Sequence, residues 1–498
     1  MNNRLERKTG HFLSWAVLVI SPFLLLLILS LCVGHSALES HPVWLDELCH
    51  WRTLYSWNAA GFDTGYYGML EEAAQLGTLG ISGPGPILIY GWFVKLFGIS
   101  HHTIMLGNAV WISLAALVFC ALRKPRPAVS LALAAMVMAY APMVIYALTS
   151  MTECFNYAQM LLYLAFLLTY QEKRRPWMLV MSMLTVLFGC LYRPIYCVLF
   201  IPLVLFFSRY RFGWRMVLSS AAAIVMTLLS CMLAMAASAP NIQGFAYHLV
   251  TAPDLSTFVH MLLSHTKANL IAYFIRFPDS PNEIFFRVFY WGVTVLCLLG
   301  SFMALERRGL RPTRVHFGFR PPFFSCFLLL MAAFGLTMML YEVGDWRDYR
   351  RLAPFLWLVI AFFIARWRFT LPLASFAACA ASLVILVQSP AVGPYKDLNR
   401  YETPTLTPAL QTVAESIPFE ENANDPFLNT VRTDVSLYPL MQELHPALGL
   451  QYGWFTTETT GKSRWILTDH LKCMVNGYEK VLDTGDYKLY RHIDPKEE

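Results

Sequence analysis

Eleven apolar runs divide the first 388 residues of this chain, most of them close to the roughly 20 residues that cross a hydrocarbon layer as a helix. They lie at 12–34, 103–122, 128–147, 154–170, 177–192, 195–208, 216–238, 286–304, 322–341, 352–366 and 369–388. Several fall short of the ideal length, and the two on either side of Arg193-Pro194, taken alone, also read as one broken helix. The composition leaves little choice of solvent. Charged residues make up 14% and hydrophobic ones 57% of the chain, with a mean hydropathy of +0.48, whereas soluble domains carry about 25% charged residues. The first run, preceded by Arg4 to Lys8, is too long for the apolar part of a cleavable secretory signal and reads as an uncleaved first helix. The fold expected over 1–388 is therefore an α-helical polytopic membrane protein of about eleven transmembrane helices.

Charge next to the runs sets their direction, because Lys and Arg beside helix ends stay in the cytoplasm. If each run is one crossing, Arg123, Lys124 and Arg126, then Lys173 to Arg175, then Arg209, Arg211 and Arg215, then Arg307 to Arg320, then Arg366 and Arg368 all fall on the same side as the N-terminus. The N-terminus is expected in the cytoplasm and the C-terminus outside. The net charge of +6 resides in these clusters rather than in a stripe on a soluble face, so nucleic acid is not an expected partner. Most of the 11 cysteines fall inside apolar runs and only Cys49, Cys154 and Cys473 are expected at exposed outer positions, so no disulfide framework is read.

Three regions then lie outside. Residues 35–102 carry Asp46, Glu47 and His50, followed by an amphiphilic stretch from Gly85 to Trp92 that ends in Leu96-Phe97-Gly98 and is too short to span. Residues 239–285 contain a helical pattern from Leu255 to Tyr273, with Leu255, Val259, Leu262, Thr266 and Tyr273 on one face and His260, Ser264 and Lys267 on the other. In residues 389–498 polar and turn residues return, and short β-prone stretches at Arg464 to Leu467 and Lys488 to Tyr490 flank turns such as Thr484-Gly485-Asp486. This tail is expected to be a small extracytoplasmic α/β domain.

The densest cluster of reactive groups is Trp44-Leu45-Asp46-Glu47, just after the first crossing, with Trp51, Arg52, Tyr55 and Trp57 downstream. Adjacent carboxylates at a membrane surface can take a proton from a hydroxyl or hold a divalent ion. Alone, the pair reads equally well as a solvated acidic turn. Further along come the Pro-containing aromatic stretch ending in Phe97-Gly98, a lone acid Glu153 in the short outer loop Thr149 to Glu153, and Tyr192-Arg193-Pro194 at an outer helix end.

In that order these features resemble the GT-C glycosyltransferases, in particular the branch of protein O-mannosyltransferases and lipid A aminoarabinose transferases. The family's acidic motif maps onto Asp46-Glu47, its Pro-rich amphipathic segment onto Pro84 to Gly98, its second acid onto Glu153 and its Arg-Pro onto Arg193-Pro194. Two motifs depart from the family: its Pro-Pro is Pro84-Gly85-Pro86 here, and its late Arg-Tyr stands as Asp348-Tyr349-Arg350-Arg351. The resemblance implies transfer of a sugar from a polyprenyl-phosphate-linked donor, with inversion, to an acceptor glycan, lipid or protein at the outer face of the membrane. The acids expected to carry it are Asp46 as base, Glu47 as its neighbour or a metal ligand, and Glu153. The arginines expected around the leaving phosphate are Arg193, Arg350, Arg351 and Arg52, since Arg suits bidentate contacts to phosphate. No cofactor is required by the sequence; Glu47 with His260 and His265 forms a candidate set for a divalent ion, although no tight zinc spacing is present.

The runner-up reading is a transporter or flippase of a lipid-linked saccharide or polar lipid. It would place ionisable groups in the centres of helices, where these runs are almost free of charge. A third reading is a non-catalytic membrane anchor for the tail. Compact loops, and the lack of a retention signal at Lys496-Glu497-Glu498, lean towards a bacterial cytoplasmic membrane. The topology yields a direct test. In a cysteine-free background, a thiol introduced by Lys124→Cys or Arg174→Cys should react with a membrane-impermeant reagent only after permeabilisation, and one from Gly485→Cys should react in intact cells. The reverse pattern would invert the orientation.

Overall fold

The computed structural model of the protein describes residues 2–43, 45–60, 83–238, 245–275, 281–308, 311–341, 350–366, 408–421, 428–433, 444–445, 448–452, 458–459, 463–468 and 474–493. Helices stand at ten of the eleven expected runs; the run at 369–388 and the expected domain boundary at 388 lie outside the described residues. In chain order the helices are α1 (Asn2–Val33), α2 (Leu45–Ala60), α3 (Gly85–Phe97), α4 (Thr103–Arg123), α5 (Pro127–Ala139), α6 (Ala141–Ala147), α7 (Glu153–Lys173) and α8 (Pro176–Tyr192). A 3-10 turn (Pro194–Leu199) then leads into α9 (Phe200–Phe207), α10 (Trp214–Ala237), α11 (Phe245–Val250), α12 (Leu255–Phe274) and α13 (Pro281–Phe302). After a hairpin of β1 (Met303–Arg308) and β2 (Arg311–Phe317) come α14 (Pro321–Leu340) and α15 (Ala353–Arg366).

Five of these are by themselves long and apolar enough to cross a membrane: Gly10–Val33 of α1, α4, α10, Glu283–Phe302 of α13, and α14. A sixth crossing is made if α5 and α6 are taken together, bent by 57°. The bend has a cause in the sequence. Pro142, at the start of α6, cannot donate into the preceding turn, and the chain leaves the helix at Tyr140 (ψ 108°) before re-entering it. The same effect ends α8. Arg193, ahead of Pro194, is extended (φ −147°, ψ 106°), as the ring of a following proline requires, so the runs on either side of it form two helical segments.

α7 is the axis of the bundle. It is buried along almost all of Glu153 to Tyr170 and is enclosed by α4, α6, α8 and α15. Edge helices show the opposite pattern: α10 buries only Ala223 and Ser230 and turns Leu218, Ile224, Leu228 and Leu233 outward, an apolar exterior that suits lipid and not water.

At one end of α7 the basic loops gather. The α4–α5 and α7–α8 turns are built alike: Lys124 (φ 46°) and Arg174 (φ 52°) take the left-handed conformation and cap the preceding helices, and the extended Arg126 and Arg175 lead into a proline at the first position of the next helix. Arg123 closes this end with two bonds to Glu172, at 2.7 and 2.5 Å, and Arg366 reaches Gln171. The other end of α7 is Glu153, about 31 Å away at the rise of an α-helix.

Two expectations for the outer segments are modified. α3 is the short helix read from its sequence, ended by Gly98, whose φ of 79° suits glycine and whose N–H donates to the Val94 carbonyl. α3 is seated inside the fold, with Ile87, Ile89, Tyr90, Phe93 and Val94 buried against its neighbours α2 and α4. α12 is a helix where one was expected, but of its proposed apolar face only Tyr273 is buried, while Leu255 and Val259 are exposed. Two more differences lie elsewhere. The basic loop after α13 forms the antiparallel β1–β2 hairpin, with Met303 opposite Phe317. Cys154, expected to be exposed, is buried, and its thiol donates to the Met143 carbonyl at 3.4 Å.

The tail is a small α/β unit, as its turn residues indicated. α16 (Pro408–Glu415) precedes β3 (Thr430–Thr433), β4 (Gly449–Tyr452), β5 (Glu458–Thr459), β6 (Trp465–Thr468), β7 (Met474–Val475), β8 (Tyr478–Asp483) and β9 (Lys488–His492). Five strands form one mixed sheet in the order β4-β3-β6-β9-β8, with β3 parallel to both its neighbours and β9 antiparallel to both of its own. β3 and β6 are buried along their whole length, as central strands covered on both faces are. The unit's core includes a residue from far upstream: Leu48 of α2 packs with Leu410, Val413, Val431, Leu444, Leu448 and Leu489.

The seating of α3 has a measurable consequence. A Cβ on Gly85 would lie 2.7 Å from the Tyr192 Cβ, an atom too close to the main chain to swing away. Gly85→Ala should therefore destabilise the detergent-solubilised protein by about 1–3 kcal/mol, the usual cost of overpacking, seen as a lowered melting temperature. An unchanged melting temperature would show that α3 is not held against Tyr192.

Candidate active site

The Glu153 end of α7 is fixed before any charge is considered. The loop leading into it is tied to three other segments: Ser40 Oγ donates to the Leu148 carbonyl at 2.8 Å, Ser150 Oγ to the His101 carbonyl at 3.1 Å, and Asn108 Nδ2 to the Met151 carbonyl at 2.8 Å. Asn108 is in turn oriented by the Tyr90 hydroxyl of α3, which donates to its Oδ1 at 2.6 Å. The fourth tie is Glu47. Its Oε1 accepts the Ser150 N–H at 2.7 Å and its Oε2 the Val43 N–H at 2.9 Å, so this fully buried carboxylate pins the start of α2 to the loop before α7. A third-position acid reaching back to main chain ahead of its helix is a capping arrangement.

On that platform sits a four-member charged cluster. Arg193 Nη2 lies 2.6 Å from Glu153 Oε1, and Arg350 Nη1 lies 3.8 Å from the same oxygen and 3.3 Å from Asp46 Oδ2. Four elements supply it: α2, the first residue of α7, the break after α8, and the turn before α15. The two carboxylates differ sharply in environment. The Glu153 side chain is 2% exposed and lies between two guanidiniums, whereas that of Asp46 is 52% exposed and has one guanidinium beside it. Among the described residues these ion pairs use one nitrogen of each arginine, out of the five N–H donors that a guanidinium carries.

His50 follows Asp46 by one turn of α2 and is buried within the field of all four groups. Burial pushes its pKa below the usual 6.5; Asp46 and Glu153 oppose that shift, and Arg193 and Arg350 add to it. Burial thus favours the neutral imidazole. Behind Glu153 the polar face of α7 continues with Asn156 and Gln159, whose side-chain oxygens lie 2.8 and 2.6 Å from the Tyr192 hydroxyl, and Gln159 Nε2 donates to the Thr185 carbonyl at 2.8 Å. Sequence reasoning had not assigned roles to His50, Asn156, Gln159 or Tyr192. The spacing that marks the first three, four residues after Asp46 and three and six after Glu153, is visible only once both acids are known to face one site.

Of the expected site residues, Asp46, Glu153, Arg193 and Arg350 are therefore brought together. The others are used elsewhere. Arg351 lies 4.3 Å from the centre of the Tyr341 ring. Arg52 is buried and donates from Nη2 to the His445 carbonyl at 2.6 Å and the Leu448 carbonyl at 3.2 Å, and from Nη1 to the Leu444 carbonyl at 3.3 Å, so it grips the tail unit instead of joining the cluster. The expected metal set of Glu47, His260 and His265 is not assembled: among the described residues no three His, Cys, Asp or Glu side chains converge on a metal position. Glu47 is taken by two amides, His265 stacks on Phe245 with Nε2 3.2 Å from the Tyr341 carbonyl, and His260 is exposed on α12. Trp44, Arg347, Asp348 and Tyr349 lie outside the described residues.

No protein-family profile matches the chain, and no curated protein sequence matches it. Two solved structures align with nearly its whole length. The crystal structure of ArnT from Cupriavidus metallidurans bound to undecaprenyl phosphate covers 96% of this chain and 97% of its own, at 13% identity and a TM-score of 0.46. The structure of ArnT from the same organism in the apo state covers 94% of this chain and 97% of its own, at 10% identity and a TM-score of 0.46.

The state of His50 gives the site a pH signature. Because its folded pKa lies below the unfolded value of 6.5, the unfolded chain binds the extra proton first. Its contribution to stability is whole above pH 6.5 and is lost as pH falls from there towards the folded pKa, with a slope of at most about 1.4 kcal/mol per pH unit. Melting curves between pH 7.5 and about pH 5 should show this loss in the wild type and a shallower one in His50→Gln. Equal slopes would mean that His50 is not held neutral in the folded protein.

Proposed function

We propose that the protein is a GT-C-type glycosyltransferase that moves a sugar from a polyprenyl-phosphate-linked donor to an acceptor hydroxyl at the outer surface of the membrane, inverting the anomeric centre. The observation that carries this reading is an exposed carboxylate, Asp46, touching Arg350, which shares the buried Glu153 with Arg193 at one end of the central helix. Sugar transfer from a lipid phosphate needs those two functions. A base takes the proton from the acceptor hydroxyl as its oxygen bonds to the anomeric carbon, and cations stabilise the phosphate that departs with the electrons of the broken carbon–oxygen bond.

The roles follow from environment. Asp46 is the base, because it is open to solvent and is held by one contact at 3.3 Å. Glu153 is a poor base, since giving up its charge would leave Arg193 and Arg350 without their shared counter-ion. It orients the two arginines, whose remaining N–H groups face the leaving phosphate. Glu47 holds the scaffold and takes no part in proton transfer, and the leaving phosphate, a weak base, departs without a general acid. A divalent ion is not required by this scheme.

Asp46→Asn is the clean test, as the side chain is exposed and its loss should leave the fold intact. In membranes supplied with a panel of polyprenyl-phosphate sugars, the wild type should transfer label and Asp46→Asn should insert normally but transfer about 10²–10⁴-fold more slowly, the usual worth of a positioned base. Full transfer by Asp46→Asn would place the base elsewhere, and failure of the wild type with every donor would favour the flippase or anchor readings. Glu153→Gln should also lose transfer, accompanied by lower yield of folded protein, because it leaves buried guanidiniums without their partner.

A further inference from the structure

α2 presents different residues to different parts of the protein at helical spacing. Asp46, a member of the charged cluster, and His50, buried within its field, are four residues apart. Glu47 and Trp51, the next such pair, tie α2 to the outer loops, Glu47 through the Ser150 N–H and Trp51 through its indole N–H to the Ser100 carbonyl at 3.1 Å. Leu48 and Arg52, the third pair, belong to the tail: Leu48 lies in the core of its α/β unit, and Arg52 is capped by the carbonyls of Leu444, His445 and Leu448, with the Tyr55 ring 5.3 Å from its guanidinium carbon. Successive residues of a helix are turned by about 100°, so the first and third pairs lie on nearly opposite sides of α2. The helix is clamped between the cluster and the tail.

Taking the transferase reading above as its premise, we infer that Arg52 is a positioning residue for transfer: by fastening the tail unit to the far side of α2 it holds Asp46 and His50 in register with Glu153 and Arg350. Three bonds from one buried cation to main-chain oxygens are charge-assisted and directional, which suits a fixed register better than apolar contact alone. Leu48 supplies the apolar part of the same joint. A carboxylate base is sensitive to displacement on this scale, since a shift of about 1 Å in a reacting group can cost on the order of a hundredfold in rate.

The test uses the full-length protein in nanodiscs, as wild type, Arg52→Met and Arg52→Lys. Met keeps the length and apolar stem without the donors, and Lys keeps the charge with fewer directed donors. In Arg52→Met, amide hydrogen exchange should rise in α2 and in β3 while the α4–α5 hairpin is unchanged. Its kcat should fall by about tenfold or more with the donor KM within about twofold, and Arg52→Lys should recover part of the loss. A general folding defect would instead raise exchange throughout and lower the active fraction without this split. Unchanged exchange in α2 overturns the inference whatever the activity, and so does raised α2 exchange with an unaltered kcat. A wild type that transfers sugar from no donor overturns the transferase reading, and with it the role in transfer; the exchange result still reports whether Arg52 fastens the tail.

Discussion

A carboxylate removed from water between two guanidiniums governs one end of the helical bundle. Taking ions out of water costs several kcal/mol each even after the protein relaxes, and breaking a buried pair by deleting one partner typically costs about 3–5 kcal/mol. Glu153 is tolerated at the end of the largely buried α7 because Arg193 and Arg350 reach it. Each arginine is delivered there by a local device. The first rides on the break that Pro194 forces after α8; the second stands just ahead of α15, whose first residue, Ala353, accepts the Tyr140 hydroxyl through its carbonyl at 3.0 Å. Three separated segments must meet to neutralise one side chain, so the packing of α7, α8 and α15 and the assembly of the site are the same event.

Around that cluster, three carboxylates of one residue class do three different things. Glu47 is buried and spent on two amides, Glu153 is buried and spent on two cations, and Asp46 is open and lightly held. Of the three, Asp46 alone is open to solvent, so environment and not residue type separates them. His50, kept neutral beside it by burial, adds polarity without adding charge.

The sequence was most informative where a local rule acts alone. Apolar runs located the helices, and Arg193-Pro194 marked a break through proline sterics; the left-handed caps at Lys124 and Arg174, read from the sequence only as orientation charges, emerge from the structure. Two tail strands and the Thr484-Gly485-Asp486 turn were likewise readable from β-prone residues and a glycine whose φ is 89°. What escaped depends on direction around a helix or on partners far along the chain. Adjacent acids at 46 and 47 look equivalent in a string but are turned by about 100° from each other, so one meets solvent and the other Ser150. Arg52 reads as one more outer arginine because its carbonyl partners lie nearly 400 residues later, at 444–448. The β1–β2 hairpin was missed because its charges, useful as an orientation signal, say nothing of strand pairing.

The face-by-face use of α2 makes the stretch from Asp46 to Arg52 a ruler read in several directions at once. One residue inserted or deleted within it would rotate everything downstream by about a quarter turn or slightly more, trading the tail's apolar contact for a charged one and aiming the imidazole at the wrong neighbour. A substitution here alters the contacts of one side chain; a change of length turns every later residue away from its partner at once.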